Sequence, residues 1–137
     1  MRRALLSLCL IAGLAGCASP PVPGCPVGLE ATTVAALYFG LNAGDRLRVT
    51  DADWARFLDE EITPRFPDGF TVTESLGQWR DNPGAPIVRE PGKVLTVVLP
   101  HPPGDAPGRL SAVVDAYKRR FDQQSVLRVY STACVAF

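Results

Sequence analysis

The sequence predicts an α+β domain of the ferredoxin-like type, a β-α-β-β-α-β sandwich with two helices on one face of a four-stranded antiparallel sheet. Four segments have strand composition, and two others carry apolar residues at the three- and four-residue spacing of an amphipathic helix. Their order is strand, helix, strand, strand, helix, strand. With right-handed crossovers, this order favours the split β-α-β arrangement.

The first strand is predicted for residues 33–42 and the first helix for residues 50–62. The strand is apolar on both faces, which is typical of a central position in a sheet. Thr50 can cap the helix, and Pro64 should end it near Ile62 because proline lacks the N–H that a helix interior requires. The later elements are a strand at 70–80 in which Gly77 could mark a bulge, a hairpin arm at 87–89, a strand at 94–99, a helix at 109–122 and a strand at 125–137.

The first sixteen residues are predicted to be a lipoprotein signal peptide. Met1-Arg2-Arg3 is positively charged, and residues 4–14 are mostly apolar but reach only about half the ~20 residues of a membrane-spanning helix. Leu14-Ala15-Gly16-Cys17 matches the lipobox of bacterial lipoproteins, so Cys17 is predicted to carry the acyl chains, such as palmitate, that anchor the protein in a membrane. Ala18, and not an aspartate, follows this cysteine. By resemblance to enterobacterial lipoproteins, this favours the periplasmic face of the outer membrane over retention at the inner membrane. The alternative is an ordinary secretory signal with a chance cysteine.

Residues 17–32 are predicted to be a Pro-rich tether, followed by a single domain at 33–137. Of the four cysteines, Cys9 lies in the predicted signal peptide and Cys17 is the predicted lipid site. The other two, Cys25 and Cys134, would lie in a compartment that permits disulfides. The ferredoxin-like topology brings the start of the first strand close to the end of the last. We therefore predict a disulfide between Cys25 and Cys134, the alternative being two free buried thiols.

Composition and motifs exclude several kinds of partner. The 14 basic and 14 acidic residues balance, whereas nucleic-acid binding needs a clustered positive face, so no nucleic-acid partner is expected. No cluster of Cys and His has metal-ligand spacing, and no glycine-rich phosphate loop is present. The sequence thus predicts neither a metal nor a cofactor. His101, the single histidine, is expected to be a solvated loop residue.

Several longer motifs point to a known family. They are Leu37-Tyr38-Phe39-Gly40, the segment Thr-Pro-Arg-Phe-Pro-Asp-Gly at 63–69, Gly77-Gln78-Trp79-Arg80, Arg89-Glu90-Pro91 with Lys93-Val94, and Ser125-Val126-Leu127-Arg128. With these motifs the chain resembles, over roughly residues 33–137, the bacterial family catalogued as domain of unknown function 3574. The resemblance implies a small secreted or lipid-anchored protein. It implies no catalytic residue, because the family has no assigned activity.

Polar and aromatic residues at turns and strand ends are the candidates for ligand binding: Tyr38, Arg65, Gln78, Trp79, Arg80, Glu90 and Arg128. The planar fork of arginine suits carboxylate or phosphate recognition, and Trp79 offers a flat face for a ring. If the second strand pairs with the 89–90 segment, Gln78, Arg80 and Glu90 could converge at one edge. The structural alternative has Arg65 and Asp68 fixing a turn, Arg80 paired with Glu90, and Trp79 in the core.

Two classes of function follow from these residues. The first is a non-catalytic module that binds a small, anionic ligand or another protein, with a homodimer through the open face of the sheet as one form of it. The second is a small cofactor-free isomerase or hydrolase that uses arginine and tyrosine groups.

Overall fold

Four long strands and two helices follow one another in the order predicted. The computed structural model describes residues 24–44, 46–80 and 82–137. The strands are β1 (Glu30–Gly40), β2 (Thr71–Trp79), β3 (Val88–Val98) and β4 (Leu127–Val135), and the helices are α1 (Asp51–Phe57) and α2 (Ala106–Phe121). Between β1 and α1 lies a ribbon of two short strands, Asn42–Ala43 and Arg46–Leu47, which the sequence did not predict.

The four long strands form one antiparallel sheet in the order β2-β3-β1-β4. This is the order of a ferredoxin-like sandwich, with the first and third strands in the centre. The predicted fold class is therefore confirmed. Alternate residues of the two central strands are buried, such as Leu37 and Leu95 with no exposed surface, and they define the face of the sheet that the helices cover. We call the opposite side of the sheet the open face.

Aromatic side chains fill the core between the sheet and the helices. The ring of Phe39 lies 4.7 Å from that of Tyr117, and Phe57 lies 5.2 Å from Tyr117, both edge to face. Such pairs contribute about 0.5–1.5 kcal/mol beyond their buried area. Because Phe39 is on β1, Phe57 on α1 and Tyr117 on α2, this cluster fixes both helices against the centre of the sheet.

Helix α1 begins at a capping box and continues into a wider turn. The Thr50 hydroxyl accepts a hydrogen bond of 3.2 Å from the Asp53 N–H, and the Asp53 carboxylate accepts one of 3.1 Å from the Thr50 N–H. Residues Leu58–Ile62 form a π-helical turn, closed by a bond of 2.8 Å from the Thr63 N–H to the Leu58 carbonyl. The helical segment thus ends at Ile62, just before Pro64.

A disulfide joins Cys25 to Cys134, as predicted, with the Cα atoms 5.5 Å apart. Pairing of Ala31 with Cys134 brings the segment before β1 alongside the end of β4. The start of β2 and the end of β3 lie at the same end of the sheet, because neighbouring strands are antiparallel. We call this the disulfide end of the sheet, and we call the opposite end, with Gly40 and Trp79, the far end.

Strand β3 is longer than the sequence predicted, since it runs unbroken through Pro91 and Gly92. Pro91 is tolerated because its side of the backbone faces Leu41, which follows the last residue of β1, so no ladder hydrogen bond from its N–H is required. The Pro91 carbonyl still accepts a hydrogen bond of 3.0 Å from the Leu41 N–H. Gly77 pairs with Glu90 in regular register, without the expected bulge. Strand β1 also begins earlier than predicted, at Glu30.

The predicted signal peptide and Cys17 lie outside the described residues, as does the first part of the tether. Within the described residues, no helix is both long enough and apolar enough to cross a membrane.

Candidate functional site

Three of the seven predicted residues, Tyr38, Trp79 and Glu90, lie on the open face of the sheet. The register Tyr38–Val94 and Gly77–Glu90, together with strand alternation, puts all three side chains on the side away from the helices. We refer to these three residues and the backbone of Gly40 as the open-face site.

Trp79 and Glu90 are joined directly across β2 and β3. The indole Nε1 of Trp79 donates a hydrogen bond of 3.1 Å to Oε1 of Glu90. Trp79 is the last residue of β2 and keeps 45% of its surface exposed, so its ring is accessible beside the carboxylate. The indole N–H therefore fixes the position of a negative charge on a surface that solvent and ligands can reach.

The Glu90 carboxylate lies against Gly40, which has no side chain to displace it. A Cβ atom at this position would stand 2.9 Å from Oε1 and 3.0 Å from Oε2 of Glu90. The paired glycine on β3, Gly92, is equally close to its neighbours, since a Cβ there would stand 2.7 Å from the Ser75 hydroxyl oxygen. The backbone of Gly40 thus makes a floor on which the carboxylate rests.

Tyr38 borders the same floor from β1. It lies two residues before Gly40 on the same face, a rise of about 6.6 Å along the strand. Its side chain is partly exposed, at 41%. The site thus presents a carboxylate bonded to the accessible Trp79 ring, with the accessible Tyr38 ring on the same face, a combination that complements a positively charged group.

A second tyrosine lies behind the floor, on the helix side of the sheet. The Tyr117 hydroxyl donates a hydrogen bond of 2.8 Å to the carbonyl of Gly40. Burial, and then the nearby negative charge of Glu90, raises the pKa of Tyr117 well above its ordinary value. Tyr117 is therefore a neutral hydrogen-bond donor that supports Gly40 from within the core.

The other four predicted residues lie elsewhere. Nη1 of Arg65 bonds the Glu61 carbonyl at 2.6 Å and the Glu61 carboxylate at 2.8 Å, so this arginine secures the end of the first helical segment rather than pairing with Asp68. Arg128 is on the helix side of β4, where Nη1 lies 3.2 Å from the Ser111 hydroxyl. Gln78 is on the helix side of β2, and Arg80 follows β2 as an exposed residue. Their role in ligand binding stays a prediction.

One charged residue of the core was missed in the sequence. Lys93 is on the helix side of β3 and only 5% exposed, and its ammonium donates to Asp51 at 3.0 Å and to Glu74. These contacts, led by the hydrogen bond to Glu74, raise the pKa of Lys93. Because the residues that follow Lys93 are apolar on both faces of the strand, the sequence does not indicate which face Lys93 occupies. The pairing of Lys93 with Phe39 and Glu74 places it on the helix side.

The open face continues beyond the site as an apolar surface. Val98, Leu127 and Val129 are all partly exposed there, and none of the described helices covers them. The homodimer expected from the sequence would bury this surface, and it stays a prediction. Among the described residues, no group of three or more His, Cys, Asp or Glu side chains is placed to hold a metal ion.

Comparisons with known proteins bear on the fold and the family. The chain is similar in structure to a phage SAM lyase in complex with S-methyl-5'-thioadenosine, with a TM-score of 0.55 and 17% identity over 86% of this chain and 95% of that one. It is similar also to a phage SAM lyase in the apo state, with a TM-score of 0.55 and 17% identity over 78% and 90% of the two chains. At this identity the likeness concerns the fold alone. No curated protein matches the sequence. A family model matches residues 34–137, and the chain therefore belongs to the family described as protein of unknown function DUF3574.

Proposed function

We propose that the protein is a lipid-anchored envelope protein whose open-face site binds a small ligand through a positively charged group. The observation that carries the proposal is the Glu90 carboxylate, held by the Trp79 indole N–H over the surface of Gly40. The site lies at the far end of the sheet, away from the disulfide that marks where the tether enters the domain.

Charge decides the class of ligand. A carboxylate favours a cation, and aromatic faces attract cations by about 0.5–2 kcal/mol depending on their exposure. The anionic ligand expected from the sequence required several arginines to converge. Arg65 and Arg128 instead lie on the helix side of the molecule with partners of their own. An ammonium, guanidinium or sulfonium group is therefore the better complement to the open-face site.

The N-terminal sequence supports the location in the envelope. A positive start, a short apolar segment and the lipobox ending at Cys17 are the three parts of a lipoprotein signal. The Cys25–Cys134 disulfide is consistent with an oxidising compartment such as the periplasm. Ala18 after the proposed lipidated cysteine favours the outer membrane, by resemblance to enterobacterial lipoproteins.

The binding proposal can be tested with a pair of probes that differ in charge. Choline and its neutral isostere 3,3-dimethylbutan-1-ol would be titrated into the full chain while tryptophan fluorescence is recorded. Of the two tryptophans, Trp54 is buried and Trp79 exposed, so a change in emission reports mainly on the open-face site. We expect saturable quenching by choline and none by the alcohol. Equal responses to the two probes would refute recognition of charge.

Matched variants locate the response. Glu90→Gln keeps the shape of the side chain and removes its charge, and we expect affinity for choline to fall about tenfold, the effect of losing one charged contact. Gly40→Ala keeps the charge but displaces the carboxylate, and should weaken binding as well. Asp59→Asn, an exposed change on the helix side, should leave it unaltered. If Glu90→Gln binds choline as well as the wild type does, the assignment of the site is wrong.

A catalytic use of the same site is the second candidate. The similar structures are of SAM lyases, and SAM is a sulfonium compound, a cation of the kind that Glu90 and its aromatic neighbours complement. Incubation of the full chain with SAM, with chromatography for S-methyl-5'-thioadenosine, separates the candidates. Formation of this thioether that is lost in Glu90→Gln would favour an enzyme. Binding of SAM without turnover would favour the binding module.

A further inference from the structure

A separate cavity of about 380 Å³ opens at the disulfide end of the sheet. It lies where β2 begins and β3 ends, beside the loop that precedes β2, and its volume is within the ~300–1,000 Å³ typical of small-molecule sites. Its walls are largely apolar and include Phe66, Phe70, Val97, Leu99 and Phe137. None of the residues of the open-face site lines it.

One cation in the cavity wall has an unused hydrogen-bond donor. Arg109 of α2 lines the cavity, its Nη1 donates 2.7 Å to the Arg65 carbonyl, and its guanidinium stands 5.4 Å from the centre of the Phe66 ring. Its Nε is buried and has no partner among the described residues. A buried donor without a partner is unfavourable, so the protein does not fully satisfy the hydrogen-bonding capacity of this guanidinium.

No carboxylate of the described residues neutralises this guanidinium. The ion pairs formed by these residues involve Arg65, Lys93 and Arg120, and not Arg109. Asp68 also lines the cavity, but this residue is exposed and forms no ion pair with Arg109. The cavity therefore combines apolar walls with an uncompensated positive group.

We propose that this cavity binds a single-chain carboxylate amphiphile, such as a fatty acid. The carboxylate would accept hydrogen bonds from Arg109, and the hydrocarbon chain would pack against Phe66 and Phe70. Apolar walls stabilise the chain in proportion to the number of methylene groups that they bury. A neutral alcohol of the same length would contact the same apolar walls but could not form the charged hydrogen bond with Arg109.

The position of the cavity suits such a ligand. It shares the disulfide end with Cys25, which follows Cys17 by only eight positions in the sequence. A chain of that length spans at most about 28 Å. An anchored protein would thus keep the cavity near the membrane that supplies the amphiphile. This last point rests on the proposed lipid anchor, whereas the ligand chemistry of the cavity does not.

Photolabelling tests the proposal. The full chain in phosphatidylcholine vesicles would be irradiated with octanoate bearing a diazirine on its chain, and with the corresponding diazirine octanol. Mass spectrometry of the digested protein would locate the label. We expect octanoate to label residues of the cavity wall, about tenfold more than octanol does, as expected for one charged hydrogen bond. Equal labelling by the acid and the alcohol would overturn the proposal.

Variants keep the test independent of folding and of the open-face site. Arg109→Gln should reduce octanoate labelling to the level of octanol. Thr71→Trp, at an exposed position that lines the cavity, should block labelling while Arg109 is retained, and Thr73→Trp on the same strand should not. Label on Tyr38 or Trp79 instead of the cavity wall would overturn the proposal. Because choline binding depends on Glu90 at the far end, either proposal can fail without the other.

Discussion

The hydroxyl of Tyr117 reaches from α2 to the last residue of β1 and donates a hydrogen bond of 2.8 Å to the carbonyl of Gly40. On the opposite face of the sheet, the Glu90 carboxylate lies against the same glycine. A core tyrosine and a surface carboxylate are therefore separated by one residue of backbone. The negative charge of Glu90 acts through this thin layer, in addition to burial, to raise the pKa of Tyr117.

Replacement of Tyr117 by phenylalanine should lower the free energy of unfolding by about 0.5–1.5 kcal/mol, because the Gly40 carbonyl loses its partner. It should also change the response to alkali. Tyrosine in the unfolded chain loses its proton near pH ~10, while folded Tyr117 retains it, so wild-type stability falls as the pH rises above about 10. Urea unfolding at several pH values should show a smaller alkaline loss in Tyr117→Phe. An unchanged alkaline slope would contradict the assignment.

Removal of Lys93 should be less harmful than removal of its partners. Lys93→Met replaces a buried charge with an apolar chain and leaves Asp51 and Glu74, whose side chains are 92% and 80% exposed, in water. We expect stability within about 1.5 kcal/mol of the wild type. The pair Asp51→Asn and Glu74→Gln leaves a buried ammonium without counter-charge and should cost about 1–3 kcal/mol. Chemical denaturation compares them, and the reverse order of stability would refute this account.

Loss of the disulfide should destabilise the domain substantially. In the chain-entropy model, closure of a loop of 109 residues contributes about 4–5 kcal/mol, less any strain. The double variant Cys25→Ser, Cys134→Ser should therefore unfold at lower urea than the oxidised wild type. Reducing agent should lower the wild-type midpoint and leave that of the double variant unchanged. If reducing agent does not change the urea midpoint of the wild type, the disulfide contributes little to the stability of the domain.

Substitution of Cys17 tests the anchor. Cys17→Ser should abolish incorporation of radioactive palmitate, since the thiol is the proposed attachment point. Cys9→Ser, within the predicted signal peptide, serves as the control and should label normally. Palmitate labelling that persists in Cys17→Ser would show that the lipobox assignment is wrong.

The fold could be predicted because local pattern and topology agree along most of the chain. The stripe of apolar residues in each helix and the capping threonine Thr50 each report on their own neighbourhood, and the structure contains both features. Strand β3 was underestimated because proline and glycine usually interrupt strands. Its continuity depends on where β1 ends, a relationship between distant segments that no local window contains.

The open-face site was only partly predictable for the same reason. The sequence offers Trp79 and Glu90 as candidate binding residues at turns and strand ends, but their direct bond follows from the pairing of β2 with β3. The close approach of Gly40 to Glu90 and the inward direction of Lys93 depend on register across strands. In the sequence, Arg109 is simply the first residue of a predicted amphipathic helix, and only the cavity beside it in the structure distinguishes it.

The bond between Cys25 and Cys134 turns the folded domain into a nearly closed covalent ring. The exposed loop between β2 and β3, which includes residues 82–84, is the kind of segment that proteases cut first. A single cut there opens the ring without releasing a fragment, because both halves stay linked through the two cysteines. Cleavage alone would therefore leave the C-terminal half, from β3 to β4, attached to whatever holds the N-terminus, and only cleavage followed by reduction would separate the two halves.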